Sequence, residues 1–98
     1  MQVNIQSVKF DATEQLQQFI NKKVAKLEKV CGDIISIDVT LSITKRETVN
    51  NKEAKIIVNV PKKQILVGKI CDTFEEAIAS AVESAEVQLI KYKQKLAE

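Results

Sequence analysis

A chain of 98 residues without a single histidine lacks the side chain that most often moves protons near neutral pH. Glu75 and Glu76 are adjacent carboxylates that could serve as an acid–base pair. They open a long apolar-striped segment, however, where acidic side chains complement the dipole of a helix's first turn. Cys31 and Cys71 are two thiols with no base or cationic pocket evident beside them, which nucleophilic work would need. Without further ligands they make no structural zinc site, and their apolar surroundings mark them as small buried hydrophobes. A disulfide between them would require an oxidising compartment that nothing else suggests. Arg46 is the only arginine; pairing it with Asn50 or Asn59, as a small phosphohydrolase would, conflicts with the strand order that the chain's periodicity implies. The only glycines are Gly32 and Gly68, so there is no glycine-rich phosphate loop. The residue types therefore point away from an enzyme, and from any metal, cofactor or small-molecule substrate.

What remains is positive charge. Net charge is only +2, from 15 basic and 13 acidic side chains, so segregation counts for more than the total. In residues 14–31, Leu16, Ile20, Val24, Leu27 and Cys31 keep helical spacing and mark a buried stripe. On a wheel of about 100° per residue, Lys22, Lys26 and Lys29 fall opposite that stripe. Lys23 falls at its boundary, where a lysine buries its stem and keeps its head wet. Only Glu28 opposes these four. In the last segment, Phe74, Ile78, Ala81, Val82, Ala85, Leu89, Tyr92 and Leu96 mark the apolar face. Lys91 and Lys95 share one flank with Ser84 and Gln88, and Lys93 takes the other flank, nearer Glu86. Acids (Glu75, Glu76, Glu83, Glu86) precede these lysines, so the helix is electrically polarised, an arrangement that also suits its own dipole. Lys45, Arg46, Lys52, Lys55, Lys62 and Lys63 read as loop-tip charges for solubility and edge protection.

The elements that must position these residues follow from periodicity. Val3, Ile5 and Val8 suggest a short strand within residues 2–9. Asp11 or Thr13 caps the first helix, and Gly32 is the expected stop. Ile35, Ile37, Val39, Leu41 and Ile43 alternate with Ser36, Asp38, Thr40, Ser42 and Thr44, which predicts a strand with one buried and one wet face. Residues 54–60 and 64–70 predict two more strands around a turn at Pro61, Lys62 and Lys63. Asp72 with Glu75, or Thr73 with Glu76, caps a 24-residue final helix. The expected fold is α+β in the order β-α-β-β-β-α: a four-stranded mixed sheet with two helices packed on one face. The first connection is a parallel, right-handed crossover. No apolar run approaches the ~20 residues of a membrane span, and the N-terminus has no signal-peptide pattern, which gives a cytoplasmic expectation.

Within that plan, several short motifs resemble the short ribosome hibernation promoting factor / ribosome-associated translation inhibitor family. They are T-E-x-L at Thr13–Leu16, K-x-x-K-L-E at Lys23–Glu28, Leu41-x-Ile43-x-Lys45, Ala77-Ile78, and Gln88-Leu89-x-Lys91-x-Lys93. The resemblance spans nearly the whole chain and implies a double-stranded-RNA-binding-domain-like fold. It implies a factor of stationary phase and stress that binds the small ribosomal subunit and its RNA, over the sites of mRNA and tRNA. Carried over by motif, Lys23, Lys26, Lys91 and Lys93 are RNA-binding; Lys22, Lys29 and Lys95 join them by the wheel alone. Two positions depart from the family pattern: Ala79 where aspartate is frequent, and Val87 where arginine is frequent. The chain reads as one ribosome-binding domain, residues 1–98, without the C-terminal dimerisation domain of the family's long forms. Two other readings stay open. One is a small protein-interaction module that works through its sheet. The other is a generic binder of double-stranded RNA, read by shape.

Overall fold

The computed structural model describes residues 2–8, 10–43 and 51–97. Thr44, Lys45, Arg46 and Asn50, and the side chain of Leu96, lie outside the described residues. The elements are β1 (Gln2–Ser7), α1 (Glu14–Val30), β2 (Ser36–Ile43), β3 (Lys52–Val60), β4 (Lys63–Cys71) and α2 (Phe74–Ala97). They form an α+β fold with one mixed sheet in the order β1-β2-β3-β4. β1 runs parallel to β2, and the other neighbours are antiparallel.

Local chemistry sets the helix starts. Thr13 is the N-cap of α1 (φ −67°, ψ 158°), its Oγ1 accepting the Leu16 N–H at 3.1 Å. Thr73 caps α2 in the same way, accepting the Glu76 N–H at 3.1 Å. Threonine therefore fills both caps. The α1 stop differs from expectation. Cys31, in extended conformation (φ −143°, ψ 112°), caps the helix while its N–H still reaches the Leu27 carbonyl at 3.0 Å, so a left-handed glycine is not what ends it.

The core is one apolar cluster between the helices and one sheet face. Ile20, Val24 and Leu27 come from α1; Ile37, Val39, Leu41, Ala54, Ile56 and Val58 from the sheet; Ile78, Leu89 and Tyr92 from α2. Ala77, Ala81 and Ala85 are also fully buried, and their short side chains let α2 seat closely. Cys31 is buried, Cys71 half-buried, and both are free thiols. The alternation holds at Ile37, Val39 and Leu41 but fails at the strand's ends. Ile35 is 59% exposed, while Ile34 is 6% exposed and fills the core in its place. The α1–β2 connection enters the interior at Ile34. Ile35 keeps its ladder bond to the Asn59 carbonyl (2.8 Å) with its side chain left in solvent. Ile43 is likewise exposed at the other end of β2.

Ile56, central in β3 and without solvent exposure, tests this core. Ile56→Ala should lower unfolding free energy by about 2–5 kcal/mol, read as a fall in the urea midpoint at unchanged m-value.

Candidate nucleic-acid interface

The directions of the two helices decide where the lysines go. At one end of the helix pair, Phe10 stacks on Phe74 with ring centroids 4.9 Å apart, and Thr13, Leu16 and Phe19 share a cleft with Glu75. Midway, Lys23 and Lys26 face Ala79, Val82, Glu83 and Glu86 across the inter-helix groove. At the far end, Lys93 Nζ donates to the Val30 carbonyl at 2.7 Å. Contacts therefore advance together along both helices, and α1 and α2 run parallel. Their first turns carry Glu14, Glu75 and Glu76, and their last turns carry Lys29 and Lys95. Each arrangement suits its own dipole, and parallel packing stacks both positive ends at one pole and both negative ends at the other.

The seven lysines singled out in the sequence occupy three settings. Lys23, half-buried, holds Nζ 5.4 Å from the Phe19 ring centre, within cation–π range. With exposed Lys26 and Lys93 it lines the inter-helix groove. Lys22 and Lys29 are exposed on the outer side of α1, opposite the buried Ile20–Val24–Leu27 stripe. Lys91 and Lys95 are exposed on the α2 flank turned away from α1, in the i, i+4, i+7, i+11 row Ser84–Gln88–Lys91–Lys95. The fold strings the seven along parallel helices, with Lys22, Lys23 and Lys26 about midway and Lys29, Lys91, Lys93 and Lys95 toward the C-terminal ends, but not on one flat surface.

Carboxylates moderate part of this field. Glu83 and Glu86 share the groove with Lys23 and Lys26, although the ammonium–carboxylate contact within 4.0 Å among the described residues is Lys55–Glu53 (3.9 Å), elsewhere on the sheet. Ala79 lines the same groove, where an aspartate would add a third carboxylate; Val87 is exposed. Lys93 is committed to the Val30 carbonyl, one of the orphan acceptors that end every helix, so it fastens the α1 terminus to α2 as well as adding charge.

Pattern alone does not single out Lys62 and Lys63. Both are exposed. Val60 pairs with Lys63, so the hairpin turn is Pro61–Lys62. α2 follows β4 after two residues and packs back along β3 and β4, which brings the hairpin tip to the lysine-rich pole. The signal for this lies in the antiparallel β3–β4 pairing taken together with the short β4–α2 connection.

The uncovered sheet face carries a row of amides and carboxylates. Asn4 Nδ2 donates to Asp38 Oδ1 (2.9 Å), Asn59 Nδ2 to Ser36 Oγ (2.9 Å), and Gln64 Nε2 to Asn59 Oδ1 (2.9 Å). Asn59 is thus engaged within the sheet, near the C-terminal end of β3. The described residues form no group of three His, Cys, Asp or Glu side chains placed to hold a metal, and no helix among them is long and apolar enough to cross a membrane.

A family model described as Sigma 54 modulation protein / S30EA ribosomal protein matches residues 3–97. The chain belongs to this family. It is 26% identical over 95 residues to the ribosome hibernation promoting factor of Azotobacter vinelandii, covering 97% of this chain and 85% of that protein. Its fold matches a ribosomal subunit interface protein from Coxiella burnetii with a TM-score of 0.86 at 21% identity, covering 96% and 99% of the two chains. It also matches the N-terminal domain of Thermus thermophilus Protein Y with a TM-score of 0.81 at 22% identity, covering 94% and 99%. This is a ribosome-associated family rather than an enzyme family, in keeping with a chain that offers no histidine.

The Lys93–Val30 bond gives Lys93 a structural role that Lys91, on the other flank, is not seen to share. Lys93→Met should lower stability by about 0.5–1.5 kcal/mol through removal of this hydrogen bond. Lys91→Met should stay within about 0.5 kcal/mol of the parent, as for other exposed positions. Urea titrations of the two variants under identical conditions would tell them apart.

Proposed function

We propose that this protein is a ribosome hibernation factor of the cytoplasm. In this reading it binds small-subunit ribosomal RNA through the lysine-rich pole of its two helices and blocks the mRNA and tRNA sites by occupying them. The observation that carries the reading is the parallel packing of α1 and α2, which sets Lys22, Lys23 and Lys26 about midway along the pair and Lys29, Lys91, Lys93 and Lys95 toward its C-terminal end, beyond the acidic first turns. Family membership supports the ribosome as partner, and the hibernation factor of Azotobacter vinelandii supports the physiological role. Lysine supplies point charge rather than the bidentate fork that reads bases. The aromatic residues are otherwise engaged: Tyr92 is buried, Phe10 and Phe74 stack on each other, and half-buried Phe19 carries the Lys23 ammonium 5.4 Å from its ring centre. Phosphates arranged by a folded RNA are the ligand this chemistry fits. Catalysis has no part in it: inhibition is competition for a surface and lasts as long as the complex does. On this reading the chain is a single ribosome-binding domain.

Co-sedimentation with purified ribosomes across a salt series tests the proposal. If about six lysines meet phosphates with single-strand-like counterion release, about 0.7 per phosphate, log K should fall against log salt with a slope near −4. Absence from the ribosomal pellet even at low salt overturns it. Equal affinity for any A-form RNA duplex would mark a generic duplex binder instead. Binding that ignores salt would point to a protein partner, for which Leu66 (66% exposed) and Ile70 (48% exposed) on the uncovered sheet face are the available apolar contacts.

The groove carboxylates give an opposite-sign prediction. Glu83→Gln combined with Glu86→Gln removes two negative charges beside Lys23 and Lys26. The double variant should bind ribosomes roughly threefold to tenfold more tightly at low salt, the gain shrinking as salt screens the field. Unchanged or weaker binding would place the RNA contact elsewhere than the groove.

A further inference from the structure

We propose that the β3–β4 hairpin tip and the outer flank of α2 form a second phosphate-binding surface, on which Lys62 and Lys63 act together with Lys91 and Lys95. It rests on the RNA-binding reading above and extends it to an element outside both helices. Three observations carry it.

The first is level. From Cys71 back to Lys63 the strand covers about 26 Å, at about 3.3 Å per residue. From Phe74 forward to Lys91 the helix covers about 26 Å, at 1.5 Å per residue. Helix and strand are joined by only Asp72 and Thr73 and pack along one another, so Lys91 arrives opposite the hairpin.

The second is side. The α2 flank that holds Glu83, Glu86 and Lys93 faces α1. The row Ser84–Gln88–Lys91–Lys95 lies on the opposite flank, and α2 sits over β3 and β4, so that row looks toward the β4 edge where Lys63 begins the strand.

The third is charge: the described part of this flank holds no acid of α2 or of the hairpin tip. Among the described residues, the acids of α2 lie in its first turn or on its groove side (Glu75, Glu76, Glu83, Glu86), whereas the helix row of Lys91 and Lys95 holds Ser84 and Gln88, and Lys62 and Lys63 are flanked in the chain by Pro61 and Gln64. Among the described residues of α2 and the hairpin tip, the groove is thus a mixed-charge surface, and this flank carries lysines without an acid. Guarding the sheet edge against pairing explains a lysine along β4 such as Lys63. It does not explain Lys62, which sits in the turn and adds nothing to the edge. Four ammonium groups along this flank and the hairpin fit the sugar–phosphate backbone of RNA.

The test uses the full chain and purified small ribosomal subunits, with affinity measured between about 50 and 200 mM salt. Lys62→Ala with Lys63→Ala should weaken binding on the order of tenfold and make the salt slope shallower by about 1 to 2, roughly one for each phosphate that no longer meets a lysine. Lys62→Arg with Lys63→Arg should restore both. Lys52→Ala with Lys55→Ala removes the same charge at the other end of the sheet and should change neither. Both hairpin lysines are exposed, so thermal melting should be unaffected. Parent-like affinity and slope for the hairpin alanine pair overturns the inference while leaving the ribosome reading intact. Equal weakening by both alanine pairs also overturns it, because the effect is then net charge. Failure of the parent chain to bind removes the ribosome reading, and this surface with it.

Discussion

Two reversals of chain direction govern this molecule. β1 and β2 are parallel, β3 turns back, and β4 turns back again, so β4 runs the same way as β1. Each of these two strands is followed by a helix that returns over the same sheet face, the one on which Ile37, Val39, Leu41, Ala54, Ile56 and Val58 are buried. Helices that start at the same end and cover the same face have to run parallel. The Phe10–Phe74 stack at their beginnings and the Lys93–Val30 bond at their ends are the two ends of that constraint. Burial drives it: the stripes Ile20–Val24–Leu27 and Ile78–Ala81–Ala85–Leu89 have no other apolar surface to cover.

Parallel packing turns an ordinary habit of helices into an overall property. Acids at helix starts and lysines at helix ends are stabilising one helix at a time. In an antiparallel pair the two distributions would oppose each other. Here they add, and a chain with a net charge of only +2 presents a strongly basic pole and an acidic one. A local field of this kind attracts a polyanion without making the whole protein sticky toward every nucleic acid. Glu83 and Glu86 restrain it further within the groove.

The remaining surfaces divide the work. The uncovered sheet face satisfies its own polar groups through the Asn4–Asp38 and Ser36–Asn59–Gln64 contacts, which leaves little hydrogen-bonding capacity there for a ligand. Lys93 ties the α1 terminus to α2 and so holds in place the groove on which Lys23 and Lys26 are displayed. Stability and charge presentation thus meet in one side chain.

Much of this was legible in one dimension. Alternation at Ile37, Val39 and Leu41, the stripe of α2 and the cap residues report on neighbours within a few positions, and periodicity carries that information directly. Family membership was legible for a related reason: the short motifs around Lys23–Glu28 and Gln88–Lys93 keep their order along the chain. What periodicity could not show is where cover ends and which elements meet. Ile35 has the right parity for the core and no element above it, while Ile34 enters one position early. The helical wheel puts Lys91 and Lys93 on opposite flanks but does not show that one of them, Lys93, is bonded to a residue 63 positions away. Lys62 and Lys63 look like solubility charges until the hairpin is laid beside the end of α2. Charge acts through space rather than along the chain, so the identity of the basic residues was set by composition and pattern, and their gathering at one pole came only with strand order and helix direction.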